Sequence, residues 1–234
     1  MNDINAMKDL QEVIGYNFTN ERYLETALSH SSYINEIKIN KGSEDKYKKE
    51  NYERQEFLGD AVLELSVSEF LFNSFPEMPE GEMTKLRASL VCEPTLAYIA
   101  KTELNLPKYI LLGKGEDNTG GRGRDSIISD IFEAVIGAIY LDGGFEPAVT
   151  FIKKYVLTDM EHKIEFVDSK TRLQEKVQSK GNTLEYILVS EEGPAHDRLY
   201  TVEVVIGGEI LGKGEGRTKK NAEQHAAYEA LKKL

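Results

Sequence analysis

Up to about residue 158, apolar positions recur at three- and four-residue spacing. Val13-Ile14, Tyr23-Leu24 and Ala27-Leu28 show it, as do Phe57-Leu58, Ala61-Val62 and Leu65. This is the period of amphipathic helices. After residue 183 the period falls to two. Residues 184–189, 200–206 and 209–213 read as three strands, with Gly207-Gly208 as a tight hairpin between the last two. Helical patterns over residues 170–179 and 218–231 flank the strands, giving the order α-β-β-β-α. The expected fold is α+β and multidomain. An all-α domain spans residues 1–158, a polar connection 159–167, and the α-β-β-β-α module 168–234. Residues 38–51, rich in Lys, Glu and Asn, read as a solvated loop. No internal repeat is visible.

The polar positions on two of the helices are less ordinary. Residues 52–65 carry Glu53, Glu56, Asp60 and Glu64. At 100° per residue these fall within roughly 80° of one another on a helical wheel. The apolar Phe57, Leu58, Ala61, Val62 and Leu65 occupy the adjoining sector, which reads as the buried stripe. Taken alone, this is also what a helix with a solvated acidic face looks like. Residues 127–141 are apolar nearly all round, the mark of a buried helix. Their only charges are Asp130 and Glu133, three residues apart and so on one face. Burying unpaired carboxylates costs several kcal/mol each, so such groups are paired or bind metal. Arg122 and Arg124 are the available ion-pair partners. The alternative is that Glu56, Asp60, Asp130 and Glu133 form one all-oxygen site. That chemistry favours Mg2+, with Mn2+ as a substitute, over zinc, and suits in-line hydrolysis of a phosphodiester.

Other templates are weaker. His30 lies beside Ser29, Ser31 and Ser32, but sequence neighbours do not make a triad, and it reads as structural. The glycines around residues 113–124 match no phosphate-binding fingerprint and read as a mobile loop. Cys92, the single cysteine, reads as core. One cysteine excludes an intrachain disulfide framework and suits a reducing, cytoplasmic location. The N-terminus shows no secretory signal pattern. No apolar run approaches the roughly 18 residues of a membrane span, so no membrane partner is expected.

A net charge of −11 argues at first against a nucleic-acid partner. Its distribution alters that. Residues 168–234 hold 11 basic and 11 acidic side chains, so the whole excess lies in the first 167 residues. Within the neutral module, Arg217, Lys219 and Lys220 gather where the last helix begins, with Thr218 as its N-cap. A helix N-terminus surrounded by cations suits a backbone phosphate. His196, in the segment Pro194-Ala195-His196, is a second exposed polar point. Thr171, Gln174 and Glu175 on the first helix of the module are a third. Three such points on this unit suit double-stranded RNA, which is recognised by shape across its minor groove.

Residues 53–62, Glu53-Arg54-Gln55-Glu56-Phe57-Leu58-Gly59-Asp60-Ala61-Val62, closely resemble the signature of the bacterial ribonuclease III family. Residues 80–88 and Asp130-Ile131-Phe132-Glu133-Ala134 resemble it in the same order. Gly193-Pro194-Ala195-His196 and Arg217-Thr218-Lys219-Lys220 resemble a double-stranded-RNA-binding domain. The resemblance implies a helical nuclease domain that forms a homodimer. It also implies cleavage of double-stranded RNA to 5′-phosphate and 3′-hydroxyl ends with short 3′ overhangs. It assigns metal ligation to Glu56, Asp60, Asp130 and Glu133, with Asp60 and Glu133 as catalytic residues, and supporting roles to Glu53 and Glu80. Two departures stand out. Gln55 replaces the usual Leu, off the acidic stripe. Glu223 stands where many such domains carry Lys, which would weaken a phosphate contact. The rival reading is a non-catalytic RNA-binding adaptor, which would have no reason to keep four carboxylates on two largely apolar helices.

Overall fold

The computed structural model describes residues 3–41, 51–160, 169–193, 198–216 and 218–234. Its contacts divide the chain into two compact units, Met1–Met160 and Glu161–Leu234.

The first unit is helical. Helices α1 (Asp3–Ile14), α2 (Arg22–Ala27), α3 (Ser31–Lys41), α4 (Glu53–Ser74), α5 (Glu80–Val91) and α6 (Glu93–Thr102) lead to a 3-10 turn at Leu106–Tyr109. Then come α7 (Lys114–Asn118), a second 3-10 turn at Gly121–Gly123, α8 (Asp125–Gly143) and α9 (Phe145–Ile152), which ends in a π-turn at Lys153–Leu157. Residues 38–41 therefore continue α3 rather than opening a loop, and 42–50 lie outside the described residues. Most of the expected connection, 161–167, lies outside them too.

Helix α8 is the centre of this unit and packs against α2, α4, α6 and α9. Ile128, Ile131, Phe132, Val135, Ile136 and Ile139 are fully buried. Each is worth roughly 1.5–3 kcal/mol on burial. Together they outweigh the several kcal/mol that partly burying two carboxylates on the same helix costs.

Helix α4 buries a different face from the one its apolar spacing indicates. Inside are Gln55, Gly59, Val62, Leu63, Ser66, Val67 and Leu71. Of the expected stripe only Val62 is buried. Phe57 is 82% exposed and Leu65 59%, Ala61 is exposed and Leu58 is half-buried. The reason is the crossing with α8. A Cβ at Gly59 would lie 1.9 Å from the Glu133 carbonyl oxygen, and one at Gly137 2.2 Å from the Gln55 carbonyl oxygen. The helices touch backbone to backbone through two glycines, and that contact outranks side-chain hydrophobicity in choosing the buried face. It also buries Gln55, whose Oε1 has no hydrogen-bond partner.

The segment before α8 is structured rather than loose. The Arg122 guanidinium donates to the carbonyls of Pro107 and Ile110, each at 2.8 Å, and to both carboxylate oxygens of Asp117. Among the described residues no helix is long and apolar enough to cross a membrane.

The second unit runs α10 (Ser169–Ser179), β1 (Leu184–Glu192), β2 (Leu199–Ile206), β3 (Glu209–Gly216) and α11 (Lys219–Leu231). The strands form one antiparallel sheet in the order β1-β2-β3. Gly207 and Gly208 take φ of +59° and +89°, the left-handed pair that a two-residue hairpin requires. Leu173 and Val177 of α10, Val202, Val204 and Ile206 of β2, and Ala222, Ala226, Ala227 and Ala230 of α11 make the core. Gly212, Gly214 and Gly216 of β3 lie under the alanine face. A Cβ at Gly214 would come 2.2 Å from the Ala226 amide nitrogen. Small residues on both sides bring the last helix directly onto the strand.

Candidate active site

The α4–α8 crossing places the acidic residues of the two helices within electrostatic reach of each other. Glu133 is half-buried and its pKa is pushed up to about 8, first by burial and then by Asp60, Glu56, Asp130 and Glu64. Glu56 is pushed up to about 7 by burial, then by Asp130, Glu53 and Asp60. Asp130 is raised mainly by burial, opposed by a hydrogen bond from the Tyr52 hydroxyl at 3.2 Å. Asp60 is exposed at the mouth of the group. His30 acts on Asp130 in the lowering direction, while the shifts of Glu56 and Glu133 are the signature of carboxylates gathered beside one another.

The arginines that could have neutralised them are engaged elsewhere. Arg122 pairs with Asp117, and Arg124 Nη1 lies 2.8 Å from Glu116 Oε1. The ion-pair reading of Asp130 and Glu133 is therefore corrected: both arginines secure the segment ahead of α8. The donor set is all oxygen and partly desolvated, and neither Arg122 nor Arg124 neutralises it, which fits a hard divalent cation. As the side chains stand, no three of the described His, Cys, Asp and Glu residues close into a ligand group. A cleft of about 440 Å³ among the described residues, lined by Arg22, Tyr23, Arg54, Gln55 and Leu58 among others, includes none of the four carboxylates.

Of the supporting acids, Glu53 is exposed on the first turn of α4 and contributes to the Glu56 shift. Glu80, exposed at the start of α5, accepts from Thr84 Oγ1 at 2.9 Å and does not appear among the groups that shift Glu56, Asp130 or Glu133. Sequence reasoning did not single out Tyr52 or Glu93 and left Glu64 as one more charge on the stripe. Glu93 acts on Asp130 and Glu64 on Glu133. Glu64 is itself held by Arg87 at 2.8 Å. No spacing rule could show these contacts, because each joins different helices. His30, expected to be structural, pairs its Nδ1 with Ser32 Oγ at 2.8 Å and also acts on Asp130 in the lowering direction. Cys92 is half-buried at the α5–α6 junction.

In the second unit, Thr171, Gln174 and Glu175 are exposed on one face of α10, and Lys219 and Lys220 are exposed on the first turn of α11. The Thr218 side chain caps that helix by accepting from the Asn221 N–H at 3.1 Å. His196 and Arg217 lie outside the described residues. Glu223 does not stand free: its carboxylate meets Lys170 Nζ at 2.5 Å, and the same ammonium lies 4.9 Å from the centre of the Tyr186 ring. The charge expected to disturb a phosphate is thus compensated within the unit.

Residues 20–160 match the family model described as ribonuclease-III-like, and residues 169–234 match that of the double-stranded RNA binding motif. The chain belongs to the ribonuclease III family. Ribonuclease 3 of Listeria monocytogenes is 46% identical over 237 residues, covering 99% of both chains. That of Bacillus licheniformis is 50% identical over 230 residues, covering 97% of this chain and 89% of the relative. Among solved structures, the nuclease domain of ribonuclease III from Campylobacter jejuni is similar, with a TM-score of 0.56 and 41% identity. It covers 65% of this chain and 94% of that one. As a member of the ribonuclease III family the protein is a double-stranded-RNA endonuclease, with a helical nuclease unit and a C-terminal RNA-binding unit. The ribonuclease III family is in general dependent on a divalent metal.

Proposed function

We propose that Glu56, Asp60, Asp130 and Glu133 hold the divalent cation, Mg2+ with Mn2+ as a substitute, and that Asp60 and Glu133 are the catalytic pair. The observation carrying this reading is the joint upward shift of Glu56 and Glu133 beside arginines that are committed elsewhere. Carboxylates so placed gain most from a cation that also accepts phosphate oxygens. Once bound, such an ion supplies positive charge to the phosphodiester and acidifies an attacking water. Glu133 and Asp130 orient the site from the rigid α8, while Glu56 and Asp60 complete it from α4. Glu53 and Glu80 are supporting acids around it. The products are fragments with 5′-phosphate and 3′-hydroxyl ends, and the physiological role is processing of ribosomal and other structured RNA in the cytoplasm.

Grip on the duplex belongs to the second unit. Thr171, Gln174 and Glu175 face the minor groove, His196 adds a second contact to the duplex, and Arg217, Lys219 and Lys220 meet phosphates near the capped start of α11. The protein works as a homodimer. Support for this is the apolar row Phe57, Leu65 and Phe72 on the outer face of α4, 82%, 59% and 70% exposed. A row of that size on one helix is the kind of surface a second copy covers.

Glu133→Gln tests the site. It keeps shape while removing the charge, so Mn2+ binding to the RNA-free protein should weaken and cleavage in Mg2+ should fall sharply. Binding of duplex RNA should persist. Wild-type cleavage by the variant would end the assignment.

A further inference from the structure

Tyr52 precedes α4 and is 6% exposed. Its hydroxyl donates to Oδ2 of Asp130 at 3.2 Å, and its own backbone N–H donates to the Ser29 carbonyl at 3.0 Å. The phenol ring stacks on His30, with centroids 5.8 Å apart and planes 25° from parallel. His30 in turn is fixed at two points. Its Nδ1 pairs with Ser32 Oγ, which accepts from the Gly113 N–H at 3.0 Å. Its backbone N–H donates to Leu111 O at 3.0 Å, and Leu111 N–H donates to Leu28 O at 2.8 Å. The hydroxyl is therefore aimed at α8 by residues that belong to none of the acid-bearing helices.

We propose that Tyr52 is a positioning residue: by occupying one oxygen of Asp130 it presents the other alone to the cation. A carboxylate with one oxygen engaged ligates through a single atom. Such ligation suits the compact octahedral shell of Mg2+ or Mn2+ better than Ca2+, which takes carboxylates in pairs of oxygens. Hydrogen bonds to a ligand's far atom typically contribute 10–100-fold in metal affinity. The inference rests on Asp130 being a ligand, and the experiment separates the two.

Mn2+ binding to the full-length, RNA-free protein is measured by titration calorimetry for Tyr52→Phe, His30→Ala and Asp130→Asn. Tyr52→Phe keeps the ring and its stack and should lose about 10–100-fold in affinity. Its preference for Mg2+ over Ca2+ in competition should narrow, and its metal-free melting should stay close to wild type. In cleavage, the Mg2+ midpoint should move upward while the rate at saturating Mg2+ recovers. A purely structural tyrosine would move the melting temperature and leave the midpoint alone. His30→Ala keeps the hydroxyl but removes its support, and should show a smaller loss in the same direction. If Asp130→Asn weakens Mn2+ binding while the other two variants bind as wild type, the Tyr52 proposal is wrong and the site survives. If Asp130→Asn binds Mn2+ normally, both fail. Should Tyr52→Phe unfold at the assay temperature, His30→Ala decides by the same criterion.

Discussion

Gly59→Ala adds one methyl group at the point where the nuclease unit has no room for it. The new Cβ would lie 1.9 Å from the Glu133 carbonyl oxygen, 2.7 Å from its carbon and 2.9 Å from the Gly137 nitrogen. All three are backbone atoms, so no side chain can swing aside. Restoring a carbon–oxygen contact of about 3.3 Å requires the helices to part by about 1 Å or more. Overpacking of this kind costs about 1–3 kcal/mol, and the better helix propensity of alanine returns about 1 kcal/mol. With backbone on both sides the cost belongs at the upper end, leaving a net loss of about 2 kcal/mol. For a domain of this size that lowers melting by roughly 4–8 °C. The displacement falls on the peptide of Glu133 itself, so it also separates Glu56 and Asp60 from Asp130 and Glu133. A misplacement near 1 Å in a catalytic group costs on the order of 100-fold in rate. Calorimetric melting and initial cleavage rates at saturating Mg2+ measure both effects. Gly81→Ala is the control, since a Cβ there meets nothing within 4 Å and the variant should melt at or slightly above wild type. A Gly59→Ala protein that melts within 1 °C of wild type and cleaves at its rate would refute the close-crossing account.

Stability of the metal-free protein should depend on pH through Glu133 and Glu56, whose folded pKa values are raised to about 8 and about 7. Between the unfolded value near 4.5 and those figures the folded state holds more protons, so stability falls as pH rises from about 5 to about 8. The loss for Glu133, allowing for solvent screening, is about 2 kcal/mol. Melting in EDTA across that range should show the decline, and Glu133→Gln should flatten it. Arg122→Ala removes donors from two carbonyls and Asp117; the loss is about 2 kcal/mol. Faster hydrogen exchange over residues 110–124 checks it, and Lys should restore less than half, lacking the planar fork. Replacing Lys219 and Lys220 together by Ala should weaken duplex RNA binding and reduce the salt slope by about 1–2. Melting of the nuclease unit should be unchanged, and an unaltered slope would remove these residues from the phosphate contact.

Much of this protein is legible in its residues taken in order. The change of period from helical to alternating near residue 183 announces a second unit with three strands, and Gly207-Gly208 marks their last turn. The apolar run around Asp130 and Glu133 makes α8 a buried helix with two carboxylates, whatever packs on it. Thr218 caps its helix through its own side chain, a contact three residues long. Each of these rests on local geometry, which a sequence specifies directly. The buried face of α4 does not. Phe57 and Leu65 read as core and lie outside, while Gln55 and Gly59 lie inside, because the choice depends on Gly137, 78 residues further on. The Lys170–Glu223 pair and the Tyr52–Asp130 hydrogen bond depend likewise on residues distant along the chain, 53 and 78 residues apart. Local sequence determines which side chains carry charge and which segments coil or extend. Only packing decides which charges remain uncompensated, because neutralisation acts through space over a few ångströms, and two residues' separation along the chain says nothing about that distance.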